Sequence, residues 1–190
     1  MEFTIENYIK QHNLVIESLD LTEVKNAIDL ISDTAKKGKR IAVCGNGGSA
    51  LAASHFITDW NKMIHIHTGK TFNGICLSDN VGLVTAYAND ISYSDIFSEQ
   101  VKNLLSEDDL LITLSGSGNS ENVVKATNVA NEMNVNTLTI CGYDGGEVKK
   151  VSKSCVWIRS MDMQLCEDAQ TVFGHMVMKK LCGQDLVVTE

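Results

Sequence analysis

Apolar positions along this chain recur with two periods that take turns. Leu21, Val24, Ile28, Ile31 and Ala35 return at steps of three and four, the spacing of one helix face, and residues 40–44 then run largely apolar at strand length. The succession repeats. A helix is predicted from Ser49, a strand at 74–77, helical segments between 80 and 105, and a strand at 109–114. A helix over 121–133, a strand at 136–141, a glycine-rich turn across 141–150, a strand at 154–158 and a closing helix through Leu181 complete the chain. Strict alternation of strands and helices implies parallel βαβ units with right-handed crossovers, hence an α/β fold: a doubly wound parallel sheet flanked by helices. Helices within residues 1–38 are extra to that sheet and are candidates for packing between subunits or for covering one of its faces.

Composition narrows the picture. With 190 residues and 44% hydrophobic content the chain can bury one good core, so residues 1–190 are expected to form a single domain. A formal net charge of −8 argues against a nucleic-acid partner. Lys36, Lys37, Lys39 and Arg40 form a short basic group, read as a solvated helix end. No apolar run approaches membrane-spanning length, and the opening MEFTIENYIKQ lacks the cationic and apolar regions of a signal peptide, so no membrane partner and a cytoplasmic location are expected. Cys44, Cys76, Cys141, Cys155, Cys166 and Cys182 are widely spaced without a CxxC, and the first four lie in strand-like runs, which suits reduced core thiols. Proline is absent, leaving turns to Gly, Asn and Asp.

Two turns carry candidate chemistry. The first, GNGGSA with Asn46, Gly47, Gly48 and Ser49, lies where a strand gives way to a helix. Free N–H groups at a helix N-terminus, with the positive end of its dipole, favour an anion, and Ser49 adds a hydroxyl. Alone, such a turn is more often just a tight turn. The second, SGSGNS, repeats the strand–turn–helix arrangement and gathers Ser115, Gly116, Ser117 and Ser120 around one bend, enough hydroxyls and amides for three phosphate oxygens. In such a sheet both loops fall outside the carboxyl ends of the strands, where ligands gather. The first loop lacks G-x-G-x-x-G spacing and the second lacks a Gly-Lys-Ser/Thr ending, which points away from dinucleotides and nucleoside triphosphates and toward a sugar phosphate. His55 and Asp59, four apart, share a helix face and can converge on one ion or one substrate oxygen. Asn89–Asp90 is, on its own, a turn or cap signal.

GNGGSA followed by HF, together with SGSGNS, AND and a late helix carrying His175, resembles the sugar isomerase (SIS) domain and, within it, the bacterial phosphoheptose isomerases. The resemblance spans nearly the whole chain, including the N-terminal helices. It implies a flavodoxin-like sandwich and an aldose–ketose isomerase converting sedoheptulose 7-phosphate to a D-glycero-D-manno-heptose 7-phosphate for surface polysaccharide. It also implies a zinc ion and a homotetramer whose active site lies at a subunit interface. Carried over by motif, Asn46, Gly47 and Gly48 would touch the sugar, Ser115, Gly116, Ser117 and Ser120 would hold the phosphate, and Asn89 and Asp90 would contact substrate. His55, Asp59, Glu167 and His175 would hold the metal, with Asp59 or Glu167 as base and His175 as acid. Two positions depart from the family: its helix carboxylate, commonly Glu, is Asp59 here, and a common Gln ligand is Glu167. Glu167 lies eight residues before His175, about 12 Å along a helix, and Asp168 beside it could take its role or cap the helix. The competing class is a non-catalytic SIS regulator that binds a sugar phosphate or a replication initiator; it needs the serine loops but no acid and base. SIS enzymes acting on amino sugars or arabinose phosphate usually carry a further module, and none is expected within these 190 residues.

Overall fold

A computed structural model of the chain describes residues 3–186. Five parallel strands form one sheet: β1 (Ile41–Gly45), β2 (Gly74–Cys76), β3 (Leu110–Ser115), β4 (Asn136–Cys141) and β5 (Ser154–Trp157), in the order β2-β1-β3-β4-β5. The helices are α1 (Ile5–Glu17), α2 (Leu21–Lys36), α3 (Gly48–Thr68), α4 (Val81–Asp90), α5 (Ser98–Leu104), α6 (Glu121–Glu132), α7 (Gly146–Val151) and α8 (Met163–Cys182), with a 3₁₀ turn at Tyr93–Asp95. This is the doubly wound α/β sandwich that the alternation predicts.

Strand order places the site. The chain leaves β1 toward β2 on one side and leaves β3 toward β4 and β5 on the other, so winding reverses between β1 and β3. Connections that diverge from neighbouring strands leave a crevice between them. The register pairs Ile41 with Leu110 and Gly45 with Leu114, so the loops after β1 and β3 emerge side by side at the same height.

Alternation along each strand fills two cores. Ile41, Val43, Leu110, Ile112, Leu114, Leu138 and Ile140 pack with Phe56, Trp60 and Phe173 under α2, α3 and α8. Ala42, Cys44, Leu111 and Cys141 face Phe97, Val101, Val123 and Val148 under α5, α6 and α7. Phe56, Trp60 and Phe173 are at most 1% exposed, and truncating any one to Ala costs about 3–5 kcal/mol. Of the N-terminal helices, α2 sends Val24, Ala27 and Ile31 into the first core, whereas α1 packs on α8, adds Val15 to that core and leaves Ile5, Ile9 and Leu14 exposed.

Two local readings change. Within the glycine-rich turn at 141–150 the chain starts α7, because Gly145 in a left-handed conformation serves as its N-cap and Val148 is buried. The basic group at 36–40 is solvated only in part: Lys36 pairs with exposed Asp33, but Lys39 Nζ donates to Glu107 O at 2.8 Å and Arg40 Nη1 to Leu104 O at 2.6 Å. These two side chains fasten the start of β1 to the approach to β3. All six cysteines are free; Cys44, Cys141 and Cys166 are buried and the other three half-buried. Burial pushes the Cys44 thiol far above its ordinary range, which keeps it protonated and inert. No helix among the described residues is long and apolar enough to cross a membrane.

Candidate active site

Both glycine loops open onto one cavity of about 280 Å³. Asn46, Gly47, Gly48 and Ser49 line it from the first loop, Ser115, Gly116, Ser117 and Ser120 from the second, and Leu114, Met163 and Glu167 complete the wall. Each hydroxyl has a distinct setting. Ser115 Oγ accepts from Gly118 N at 3.0 Å, which bends the loop around its own first serine. Ser117 Oγ accepts from Asn119 N at 3.3 Å. Ser120 is the N-cap of α6, yet its side chain makes no capping bond, which leaves its hydroxyl to the cavity while its carbonyl accepts from Val123 N and Val124 N at 3.0 Å. Ser49 is the exception: 4% exposed, it donates to Gln170 Oε1 at 3.1 Å and serves mainly to join α3 to α8.

Glu167 enters from α8 directly opposite Gly48. A Cβ at position 48 would collide with the Glu167 carboxylate, so the first loop needs glycine there for close approach rather than for an unusual backbone angle. A larger cavity of about 390 Å³, near the amino ends of β1 and β2 among Ala35, Ile64, Phe72 and Leu181, holds none of the sequence-predicted groups.

The second cluster lies further along the same two helices. α3 and α8 run side by side, and Gly174 lets them touch: the Phe56 ring lies where a Cβ would be, and Trp60 Nε1 donates to Gly174 O at 3.0 Å. That contact sets the neighbours, His55 and His175, edge to face with their Nε2 atoms 2.9 Å apart. Asp59 Oδ2 lies 3.6 Å from His55 Nε2 and 3.8 Å from His175 Nε2.

These three donors fit a metal ion. A tetrahedral Zn²⁺ bound at about 2.0–2.2 Å keeps its ligand atoms about 3.3–3.6 Å apart, close to the spacing of this triangle. Two imidazoles and one carboxylate are a zinc-type donor set that leaves a fourth position open. Of the four ligands that the resemblance implies, Glu167 stands apart. It is two turns before His175 on α8 and lines the serine cavity, and among the described residues only His55, Asp59 and His175 come within 4.8 Å of one another.

Asn89 and Asp90 also stay outside the cavity. They occupy the last turn of α4, exposed, with Asn89 Nδ2 donating to Asp90 Oδ1 at 2.9 Å. Asp168 neither joins the cluster nor caps α8: it accepts a 2.6 Å bond from Tyr8 of α1, while Asp162 is the N-cap. Met163, Gln170, Asn122 and Tyr93 escape a sequence reading based on charge and glycine. The signal available for Asn122 and Gln170 is a carboxamide amid the apolar face of an amphipathic helix, where a buried amide needs a partner.

Likeness to known proteins follows this geometry. The SIS domain family pattern matches residues 7–142, more than half of the chain. A phosphoheptose isomerase of Helicobacter pylori strain P12 is 34% identical over 154 residues, 81% of this chain and 80% of its own. One from Clostridium acetobutylicum is 32% identical over 168 residues, 86% and 85% of the two chains. The solved structure of a phosphoheptose isomerase from Francisella tularensis superposes with a TM-score of 0.88 at 22% identity, covering 95% of this chain and 97% of that one, which establishes the shared fold. With two phosphate-type loops at the switch point of a five-stranded parallel sheet, and with relatives of this closeness along most of its length, the chain belongs to the SIS domain family, in its phosphoheptose isomerase branch.

Proposed function

We propose that this protein is an aldose–ketose isomerase that converts sedoheptulose 7-phosphate to D-glycero-D-manno-heptose 7-phosphate. One observation carries the reading: the helices that start at the serine cavity, α3 and α8, bring His55, Asp59 and His175 together further along. The serine loop and the N-terminus of α6 take the phosphate, which fixes one end of the opened sugar and limits where the other can lie. A seven-carbon chain with its phosphate, when extended, has a length comparable to the two helical turns between Glu167 and His175.

Isomerisation requires removal of a proton beside the carbonyl and delivery of one to the neighbouring carbon or oxygen. Asp59 is assigned as base. Its Oδ2 faces the imidazoles, leaving Oδ1 for the substrate proton, and it stands where the family keeps a carboxylate, whereas position 167 is commonly Gln. His175 supplies the proton on the other side as acid. His55 orients Asp59 from the preceding turn of α3. His55, Asp59 and His175 are also the residues that would hold zinc; bound there, it would supply Lewis acidity toward the sugar's oxygens in place of the proton from His175, and would make Asp59 a weaker base.

The side chains of His55 and His175 are 43% and 48% exposed, an open setting for chemistry that works best with water excluded. A homotetramer with the active site at a subunit interface supplies the cover. A cytoplasmic enzyme serving heptose incorporation into surface polysaccharide fits the branch. The regulator reading has no use for a carboxylate between two imidazoles. Purified protein incubated with sedoheptulose 7-phosphate and zinc is expected to form the aldose, and a chelator to stop it. Absence of product with zinc supplied would sink the isomerase assignment in favour of a sugar-phosphate sensor.

A further inference from the structure

One amide pair stitches the two glycine loops together. Asn46, in the first loop, donates from Nδ2 to Asn122 Oδ1 at 2.8 Å, and Asn122 donates from its own Nδ2 back to Asn46 Oδ1 at 3.0 Å. Asn122 is the second residue of α6 and only 2% exposed, so the helix capped by Ser120 of one loop grips the side chain of the other. Tyr93 adds a third bond, its hydroxyl donating to Asn46 Oδ1 at 3.0 Å.

A carboxamide oxygen accepts two hydrogen bonds and its nitrogen donates two. Asn46 Oδ1 is filled by Asn122 and Tyr93, and one Nδ2 hydrogen is taken by Asn122. A single N–H remains. Turning over one amide alone would bring N–H groups of both asparagines face to face, so the reciprocal pair locks the two amides to each other, and the Tyr93 hydroxyl donating to Asn46 Oδ1 sets which way the locked pair faces. We propose that Asn122, assisted by Tyr93, is a positioning residue that holds Asn46 as a one-hydrogen donor to a sugar oxygen at the cavity mouth, setting affinity for the sugar portion and not for the phosphate.

The proposal rests on reading the cavity as a sugar-phosphate site. The phosphate loop has supports of its own: Gly118 N on Ser115 Oγ, Val148 N on Gly118 O at 2.9 Å and Glu147 N on Asn119 Oδ1 at 3.0 Å. None passes through Asn122. Truncating Asn122 removes two of the three bonds to Asn46 and leaves those of the serine loop in place.

Steady-state kinetics with sedoheptulose 7-phosphate, calorimetric titration with inorganic phosphate and thermal melting on Asn122→Ala and Tyr93→Phe test it. For Asn122→Ala the expected result is a kcat/KM lower by about tenfold, mostly through KM, with phosphate affinity within about twofold of wild type. Tyr93→Phe, which keeps the ring, is expected to shift kcat/KM the same way by about threefold and gives the answer if Asn122→Ala does not fold. Wild-type kcat/KM in the folded variants, or phosphate affinity falling in step with kcat/KM, overturns the proposal, the second because a mere scaffold would weaken both. A wild-type protein that binds inorganic phosphate and sedoheptulose 7-phosphate without turnover overturns the isomerase reading alone; the contrast is then read from the two affinities. Binding of neither ligand overturns both.

Discussion

His175 is the residue on which the proposed chemistry turns, and its position is cheap to test because it is nearly half exposed and outside both cores. His175→Ala is expected to lower turnover by at least about 10²-fold, the usual loss on removing a general acid, while the thermal midpoint stays within a few degrees of wild type. Full activity in that variant removes His175 from the mechanism. The two carboxylates separate in the same assay. Asp59→Asn should lose both turnover and zinc affinity, whereas Glu167→Gln, which keeps the shape of the side chain beside Gly48, should retain turnover within about tenfold. Turnover surviving Asp59→Asn and lost in Glu167→Gln would transfer the base to the serine cavity. Sequence spacing alone joins His55 to Asp59. That His175 reaches them and Glu167 does not is a matter of how two helices lie against each other, which four-residue periodicity within either helix does not contain.

At the scale of elements, the contact between α3 and α8 builds the triangle of donors. Gly174→Ala forces the new methyl into the Phe56 ring and is expected to cost about 1–3 kcal/mol in chemical denaturation, with a parallel loss of zinc affinity as His55 and His175 separate. Unchanged metal binding in that variant would mean that the helices tolerate the wedge and that Gly174 does not govern the site. A second contact ties α1 to the same helix. The hydrogen bond from Tyr8 to Asp168, with burial adding to it, pushes the Tyr8 phenol up to about 12. A raised value in the folded state means that the bond stabilises below the ordinary tyrosine range near pH 10 and loses its contribution as pH rises through about 12. Tyr8→Phe should therefore lower stability at neutral pH and reduce the loss that wild type shows between those values, as followed by urea midpoints across the range. The strands and long helices were legible from periodicity. α7 was not, because six residues with a single buried position, Val148, leave no period to count.

For the whole molecule the exposed apolar surface is the informative quantity. α1 leaves Ile5, Ile9 and Leu14 uncovered, and α4, with Val81 70% exposed, buries none of its residues in the single chain. These faces are where the proposed tetramer would pack, and covering them contributes roughly 25 cal/mol for each Å² of apolar surface removed from water. Light scattering of the wild type should give four times the mass of the chain, and Ile9→Asp combined with Val81→Asp should give a smaller particle with reduced turnover. A monomeric wild type with full isomerase activity would remove the shared-site reading.

What the sequence by itself determined was the alternation of periods, the place of both glycine turns after strands, and the kinds of donor available. These are local properties, set by neighbours within a few residues along the chain. Tertiary structure decided which of those donors meet. The reversal of winding between β1 and β3 put two loops seventy residues apart around one cavity, and the close approach at Gly174 chose His175 over Glu167 as the partner of His55. Both outcomes depend on strand order and on how large side chains interlock across the first core, and pairwise packing between distant segments leaves no trace in the pattern of either segment alone.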